Sequence, residues 1–385
     1  LEKRRRASDR ELAINRPHAP MIYRDVVPIT REVDGTLRIG GVGQPVEWAV
    51  RMHRFDNGAL LSRLAERHGL TDPIIVALAA AIADHHGKAP PATASGIGTD
   101  GPTAIIEELA REFGTLADLA PRAVVARFLD RAWAQLARSK DCLDRRANRG
   151  FIRRCHGDLH LNNIVLIDGR PTLFDALEFD ESLATVDLLY DLAFLLMDLD
   201  ERGLRAQANL LLNRYLVATH DDFDIEGLVA LPLFLALRAG IRAMVGLQRA
   251  RFVGSEAMQQ VTIAQRYLDA ALGYLDPAPA RLVAVGGFSG TGKSTLARAL
   301  APPLGVAPGA VHLRSDLERK RILGVAESER LAPESYTKSA SDRVYVHLLA
   351  KARNAIEAGH SVIIDAVYSA PDERAAVEDL ARLLR

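Results

Sequence analysis

"CHGDLHLNNIVL", residues 155–166, sets two histidines, one aspartate and two asparagines directly ahead of a short apolar run. Polar groups at the entrance to a buried strand need partners or a task, because burying them unpaired is costly. His156, Asp158 and Asn163 follow the spacing H-x-D-x-x-x-x-N. Beyond them "NIVLIDG" and "PTLFDA" flank the turn Asp168-Gly169-Arg170 and read as a β-hairpin, which returns Asp175 to the neighbourhood of Asn163. The alternative is an Asx-rich turn before a strand, with His156 and His160 as ordinary packed or exposed histidines.

The frame around this stretch is large. At 385 residues the chain exceeds one ordinary core, so two or three domains are expected. Lys plus Arg and Asp plus Glu both number 49, so no global field favours nucleic acid or a membrane surface as partner. Cys142 and Cys155 are too few for a disulfide framework and lack metal spacing, which points to a reducing cytoplasm. The longest apolar stretch, Leu228 to Leu237, contains Pro232 and is far short of the roughly 20 residues of a membrane helix. The chain opens at Leu1 without a methionine and stops at Arg385 within a helical pattern, so both ends read as cut. The basic run Lys3 to Arg6 heads a helical stretch and reads as a solvated face.

Short β-like runs (Met21 to Ile29, Thr36 to Ile39, Val46 to Phe55) alternate with helical ones (Ala59 to His68, Ile74 to His86), an α+β beginning. Residues 87–103, rich in Gly, Pro, Ser and Thr, read as a loop, with helical periodicity from Ala104 to about Ser139. Helices are expected almost without break from Thr185 to Leu275, and "DPAPA", residues 276–280, reads as a linker. Beyond it the rhythm becomes strand, Gly-rich turn, helix, strand, helix, that of a parallel sheet. The domains are therefore expected at 1–275 and 281–385.

In the second domain "GGFSGTGKST", residues 286–295, follows a β-branched run and opens a helix, and Gly287, Gly292, Lys293 and Ser294 satisfy G-x-x-x-x-G-K-[ST]. Such a loop converges backbone N–H groups on phosphate oxygens, its lysine reaches the outer phosphates and its serine hydroxyl ligates Mg²⁺. The nucleotide-binding set is Gly287, Ser289, Gly290, Thr291, Gly292, Lys293, Ser294 and Thr295. "VHLRSD" brings a strand expected to end at Asp316, and "SVIIDAVY" brings Asp365 to the end of another. Asp365 is favoured for metal and Asp316 for the acceptor, against a plain helix cap and a strand-end turn. Arg314, Arg319 and Arg321 either grip an anionic substrate or are solvated. The P-loop, "RSD" and "IIDA" resemble the small-molecule P-loop kinases, which include gluconate kinase, chloramphenicol phosphotransferase and zeta-type toxins.

The opening stretch, with "LFDALEFD" and "VDLLYDLAFLL", resembles the catalytic and metal loops of the aminoglycoside phosphotransferases, a branch of the protein-kinase-like fold. The resemblance implies that Asp158 orients the acceptor hydroxyl, that Asn163 and Asp175 hold metal, and that His156 braces the loop. Asp187 and Asp191 are expected to brace as well, and no role follows for His160 or Asn162. "VEWAVRMHRF" is similar to the last strand and hinge between two kinase lobes, with Ala49 to Met52 meeting the adenine. Glu11 resembles the helix glutamate that pairs with a phosphate-binding lysine, expected ahead of Leu1; an exposed helix glutamate is the alternative.

The whole order resembles a bacterial family of bifunctional proteins that join an aminoglycoside phosphotransferase-like kinase domain to an ATP-binding P-loop domain. The expected fold is thus an α+β protein-kinase-like domain followed by an α/β P-loop NTPase domain with a parallel sheet. The implied activity is transfer of phosphate from ATP or GTP, with Mg²⁺, to hydroxyl groups of small molecules at two nucleotide sites. The alternatives are one working site under a nucleotide-sensing P-loop domain, or a kinase acting on a macromolecule. Asp221, Asp222, Asp224 and Glu226 form either an acidic rim for a cationic aminoglycoside or a solvated charge run.

Overall fold

In the computed structural model, which describes residues 1–92, 98–276 and 278–384, helix α1 (Glu2–Asn15) precedes an antiparallel sheet. There β1 (Tyr23–Arg31) lies between β2 (Leu37–Ile39) and β3 (Gln44–Met52), with Ile29 opposite Ile39 and Val27 opposite Ala49. The basic run of α1 docks the helix on this sheet: Arg4 pairs with Glu47 at 2.7 Å, and the Arg5 guanidinium lies 4.6 Å from the Trp48 ring. Ala19, Ile22, Tyr23 and Val165 form a small core that ties the sheet to the hairpin below it.

Helices α2 (Leu61–Glu66) and α3 (Asp72–Lys88) follow. Helix α4 (Asp100–Thr115) starts inside the stretch read as loop, of which 93–97 lie outside the described residues, and Pro102 fits its first turn. The single helix expected from Ala104 to Ser139 is two, because the chain turns over the buried Leu116 and Ala120 before Pro121 opens α5 (Arg122–Asn148).

Strand β4 (Ile152–Arg154) pairs antiparallel with β7 (Thr185–Asp187), while β5 (Ile164–Ile167) and β6 (Arg170–Leu173) form the hairpin, Ile164 facing Leu173. Between them stands the short α6 (Glu181–Ala184). Residues 185–187 are therefore strand rather than the helix expected there: β-branched Thr185 and Val186 find a ladder partner in β4. Then come α7 (Leu188–Glu201), α8 (Arg205–Ala218), α9 (Phe223–Gly227), α10 (Leu231–Ala250) and α11 (Ala257–Tyr274). The helical run 223–250 is long and apolar enough to cross a membrane by length and composition, and 67% of its apolar window is buried inside the protein. It is the central helix of the core, packed on α4, α5, α7 and α11.

The second domain runs β8 (Leu282–Val285), α12 (Lys293–Leu300), β9 (Val311–Arg314), α13 (Ser315–Leu323), α14 (Lys338–Glu357), β10 (Val362–Asp365) and α15 (Pro371–Leu383). The three strands are parallel in the order β8-β10-β9, so β9 is an edge. Strand β9 stops at Arg314, not at Asp316, because Ser315 and Asp316 suit a helix start and Asp316 enters the first turn of α13. The linker read at 276–280 includes Pro277, outside the described residues. The two domains are not independent in packing: Val311, Leu313, Leu348 and Val362 belong to one buried cluster with Leu228, Leu231 and Leu233 of the first domain.

Candidate functional site

The geometry of the 155–163 loop starts at Gly157, whose φ of +83° suits glycine and whose Cβ, if present, would meet Leu177 Cβ at 3.0 Å. His156 is buried and its Nε2 bonds the Phe174 carbonyl at 2.9 Å, tying the loop to the end of β6. Burial pushes its pKa down, against the pull of Asp191. Asp158 is partly exposed, and its Oδ2 accepts from Asn163 Nδ2 at 3.0 Å and lies 3.3 Å from His160 Nε2. Burial raises its pKa, but the His160 hydrogen bond and charge, with His156 and Arg238, hold it below the usual carboxylate range. Asn163 also donates to the Asp158 carbonyl at 3.0 Å, which leaves its own side-chain oxygen as the acceptor that a cation could use.

Beneath the loop lies a buried brace. Asp191, on α7, accepts from the Gly157 N–H at 2.8 Å and from His86 Nε2 at 3.1 Å, while His86 Nδ1 meets Tyr215 Oη at 2.9 Å. Burial opposes its charge, yet the His86 hydrogen bond and the charges of His86, His156 and Arg238 keep the Asp191 carboxyl well below the ordinary range. Cys155 approaches the same group: His86, Cys155 and Asp191 present donor atoms within 4.8 Å of one another. Both His86 nitrogens are engaged and the Cys155 thiol points to the Val186 carbonyl at 3.6 Å, so the cluster is a hydrogen-bonded brace rather than a metal centre. Asp187 caps α7 through the Leu189 N–H at 2.8 Å and takes a two-pronged bond from fully buried Arg146 at 2.7 and 2.9 Å. Arg238, on α10, donates to the Gly157 carbonyl at 3.2 Å with its guanidinium 4.0 Å from the Tyr190 ring.

Asp175 is exposed and left-handed, φ +62°, a conformation that costs strain and is tolerated best by Asn and Asp among side-chain-bearing residues. Two neighbours hold it there. Tyr23 Oη bonds the Asp175 N–H at 3.1 Å, and Asn15 accepts from the Ala176 N–H at 2.7 Å while its Nδ2 reaches the Ala176 carbonyl at 3.3 Å. Helix α1 is thereby locked to the segment that carries Asp175. Glu11, one turn earlier on α1, has its pKa raised by burial and then by the Glu178 and Asp175 carboxylates. A hard divalent cation among these oxygens relieves that repulsion, so the donor set fits Mg²⁺.

In the second domain Gly287 (φ +147°) and Gly292 (φ +84°) curl the chain between β8 and α12. Lys293 folds back onto the Phe288 carbonyl at 2.6 Å, and Thr291 Oγ1 donates to the same oxygen at 2.8 Å. Ser289, Gly290 and Thr295 complete an exposed loop and first turn. The Ser294 hydroxyl donates to Asp365 Oδ2, and His312 Nε2 stands 3.5 Å from the same oxygen. Burial raises the Asp365 pKa, but His312 and Ser294 together lower it below the usual range. Ser294 and Asp365 thus meet as one oxygen pair at the sheet's carboxyl edge, suited to Mg²⁺.

Asp316 is not brought to that pair: it is exposed and held by Arg314 at 2.7 Å. Arg319 is buried on the Ser335 carbonyl at 2.8 Å, and Arg321 pairs with Glu318 at 2.6 Å, so both are structural. Of the acidic run, Asp224 is buried on Arg146, Asp222 pairs with Lys351 at 3.1 Å, Glu226 lies 3.4 Å from Arg145, and Asp221 is exposed. Ala49 to Met52 form the last rungs of β3, and the chain leaves them at His53. Sequence reasoning missed Asn15, His86, His160, Arg238 and His312. For His160 the signal was available, since a histidine two residues past Asp158 can turn back on its carboxylate; the others act across the fold.

Residues 282–384 match the AAA domain. Uncharacterised proteins of Mycobacterium bovis and of two strains of Mycobacterium tuberculosis are 36% identical over 240 residues, 61% of this chain and 46% of theirs, so the matched stretch spans less than half the length of those relatives. A choline kinase of Cryptosporidium parvum Iowa II superposes over 60% of this chain and 70% of its own, with a TM-score of 0.40 and 12% identity. Residues 24–227, over half of the chain, match the phosphotransferase enzyme family, and the chain belongs to that family.

Proposed function

We propose that the chain transfers the terminal phosphate of ATP or GTP, with Mg²⁺, to a hydroxyl group of a small molecule, and that each domain holds its own nucleotide. The observation that carries this reading is the Asp158 carboxylate, fixed by Asn163 and His160 and kept ionised, at the mouth of the hairpin that presents Asp175. A loose, metaphosphate-like transfer asks mainly for positioning and charge stabilisation, and this site offers both. Asp158 would align the acceptor hydroxyl, Asn163 and Asp175 would hold Mg²⁺, and the Asp191 brace would keep the loop in place. Bound there, the ion would neutralise phosphate charge. In the second domain Gly287 to Thr295 would cradle phosphate, with Ser294 and Asp365 as the Mg²⁺ ligands. Two buried free cysteines agree with a reducing cytoplasm, and an even charge balance gives no reason to invoke nucleic acid or membrane.

A second reading has one working site, Asp158, gated by nucleotide in the P-loop domain. It is favoured by the core the two domains share and by α8, which carries Tyr215 under the catalytic loop and Asn213 against β9. Calorimetry with a non-hydrolysable nucleotide separates the cases. Two binding events, one removed by Lys293→Ala and the other by Asp175→Ala, support two sites; a single event lost in either variant refutes them.

A further inference from the structure

Between the domains lies a cleft of about 780 Å³. One wall is the P-loop side, with Ser294, Thr295, Arg298, His312 and Arg314; the other is α8 of the kinase-like domain, with Asn209, Asn213 and Arg214. Two ion pairs cross between the domains here, Arg298 to Asp72 and Arg214 to Glu327. The volume is that of a small-molecule site, and clefts between domains are common places for one.

We propose that this cleft is the acceptor site of the P-loop domain, that α8 of the kinase-like domain supplies half of it, and that its ligand is a small hydroxylated acid, a carboxylate or phosphate monoester. The inference rests on the P-loop domain acting as a phosphotransferase and names its acceptor class. Ser294 and Thr295, at the start of α12, open onto the cleft, which puts its contents beside the transferred phosphate. Three arginines line it with one carboxylate, Glu327; each is ion-paired, Arg214 with Glu327 inside the cleft and Arg298 and Arg314 with Asp72 and Asp316 outside its lining. Arg214 spends both terminal nitrogens on Glu327, while its buried Nε has no hydrogen-bond partner, and the buried His312 Nε2 has only Asp365 Oδ2, 3.5 Å away. Buried unpaired donors favour a ligand that brings oxygen atoms to them, and arginine favours an anionic one. In the transfer, the acceptor hydroxyl oxygen bonds the terminal phosphorus as the bond to the bridging oxygen breaks. The nucleoside diphosphate leaves with that electron pair, and the hydroxyl proton passes to water.

The test uses the full chain carrying Asp175→Ala, which leaves the P-loop site as the one that binds nucleotide. Nucleotide consumption is followed with glycerol 3-phosphate, 3-phosphoglycerate and glycerate, against neutral glycerol and cationic glucosamine, beside calorimetry with a non-hydrolysable nucleotide. The expected result is stimulation by one or more of the acids only. Arg214→Met should raise the half-saturating acid concentration at least tenfold with nucleotide affinity unchanged. Glu327→Gln, which breaks the same ion pair but keeps the guanidinium and frees its terminal nitrogens for an anion, should tighten acid binding rather than weaken it. Nucleotide bound without stimulation by any acid, equal stimulation by glycerol, an equal loss in Glu327→Gln, or weakened nucleotide binding in Arg214→Met each overturns the acceptor site. Absence of nucleotide binding that depends on Lys293 overturns the phosphotransferase reading of this domain and the proposal with it.

Discussion

Asn213, on a helix of the first domain, bonds His312, on a strand of the second, as a neighbouring strand would: its Oδ1 accepts the His312 N–H at 2.6 Å and its Nδ2 donates to the Ala310 carbonyl at 3.2 Å. Strand β9 is the open edge of its sheet, and an open edge must be paired or covered. Asn213 and, at Ala310, Asn209 do the pairing, so the sheet that carries the P-loop is finished by the kinase-like domain. Asn213→Leu strands the His312 N–H, whereas Ala310 keeps Asn209 Nδ2 at 3.0 Å. The expected loss is about 1–3 kcal/mol, the desolvation cost of a buried unmet donor. Asn213→Asp retains the acceptor and should lose less. Denaturant midpoints for the two variants decide; equal losses exclude the edge-pairing account.

Arg146 is enclosed completely and serves two buried carboxylates, Asp187 at 2.7 Å and Asp224 at 3.2 Å. Burial, with a smaller push from the Asp187 charge, raises the Asp224 pKa, and the guanidinium works against that rise. Removing the cation leaves two charges in a low-dielectric interior, so Arg146→Met should cost roughly 3–5 kcal/mol. Adding Asp187→Asn, which keeps a cap for α7, and Asp224→Asn should recover part of that loss. Thermal unfolding of the single and triple variants measures it, and a triple variant less stable than the single would reject the explanation.

The local form of residues 155–175 was legible because its information is local: a turn, a strand and a hairpin place Asp158, Asn163 and Asp175 within about twenty positions, a span where turn chemistry and period-2 patterning are reliable guides. Its support was not. His86 meets Asp191 across 105 positions and Asn15 meets Ala176 across 161, and neither residue carries a pattern until the chain has folded. The P-loop was legible for the same reason as residues 155–175, since its glycines encode the loop themselves. The strand end expected at Asp316 lies two residues earlier, at Arg314, because Ser315 and Asp316 favour a helix start. The union of the two domains was hidden by the prolines at 276–280, which mark a break in secondary structure and say nothing about packing across it.

His360 stands at that union, and its Nε2 bonds the Leu228 carbonyl at 3.0 Å while its Nδ1 is buried without a partner. Burial lowers its pKa to about 4 from an ordinary 6.5. The unfolded chain therefore takes up a proton as pH falls below 6.5 while the folded chain does not. Stability from this residue is full above 6.5 and declines as pH falls toward 4, by on the order of 2 kcal/mol at pH 4.5. His360→Gln cannot take up that proton, so the slope of stability against pH between 6.5 and 4.5 should flatten in the variant. An unchanged slope would show that His360 is not the titrating group.

Asp158 and Asp175 are both carboxylates of one loop region, but their surroundings differ. Asp158 is bonded by Asn163 and His160 and its pKa is held low, so it is ionised across the neutral range and suited to orienting a hydroxyl. Asp175 is exposed, left-handed and grouped with Glu11 and Glu178, which suits a cation. Asp158→Asn preserves shape and one acceptor oxygen while removing the charge. It should leave nucleotide affinity nearly unchanged and lower kcat at this site by about 10² or more, within the range for positioned acid–base groups. Asp175→Asn should weaken binding of the Mg²⁺ nucleotide itself. Because the Asp158 pKa lies below the usual carboxylate range, this residue should impose no fall in kcat as pH drops from 8 to about 5, well above an ordinary aspartate near 3.9. The measurements are paired calorimetric titrations and steady-state rates in a Lys293→Ala background, which silences the P-loop site. Nucleotide binding lost in Asp158→Asn and kept in Asp175→Asn would invert the two assignments and remove the main support for reading residues 155–166 as a phosphotransfer loop.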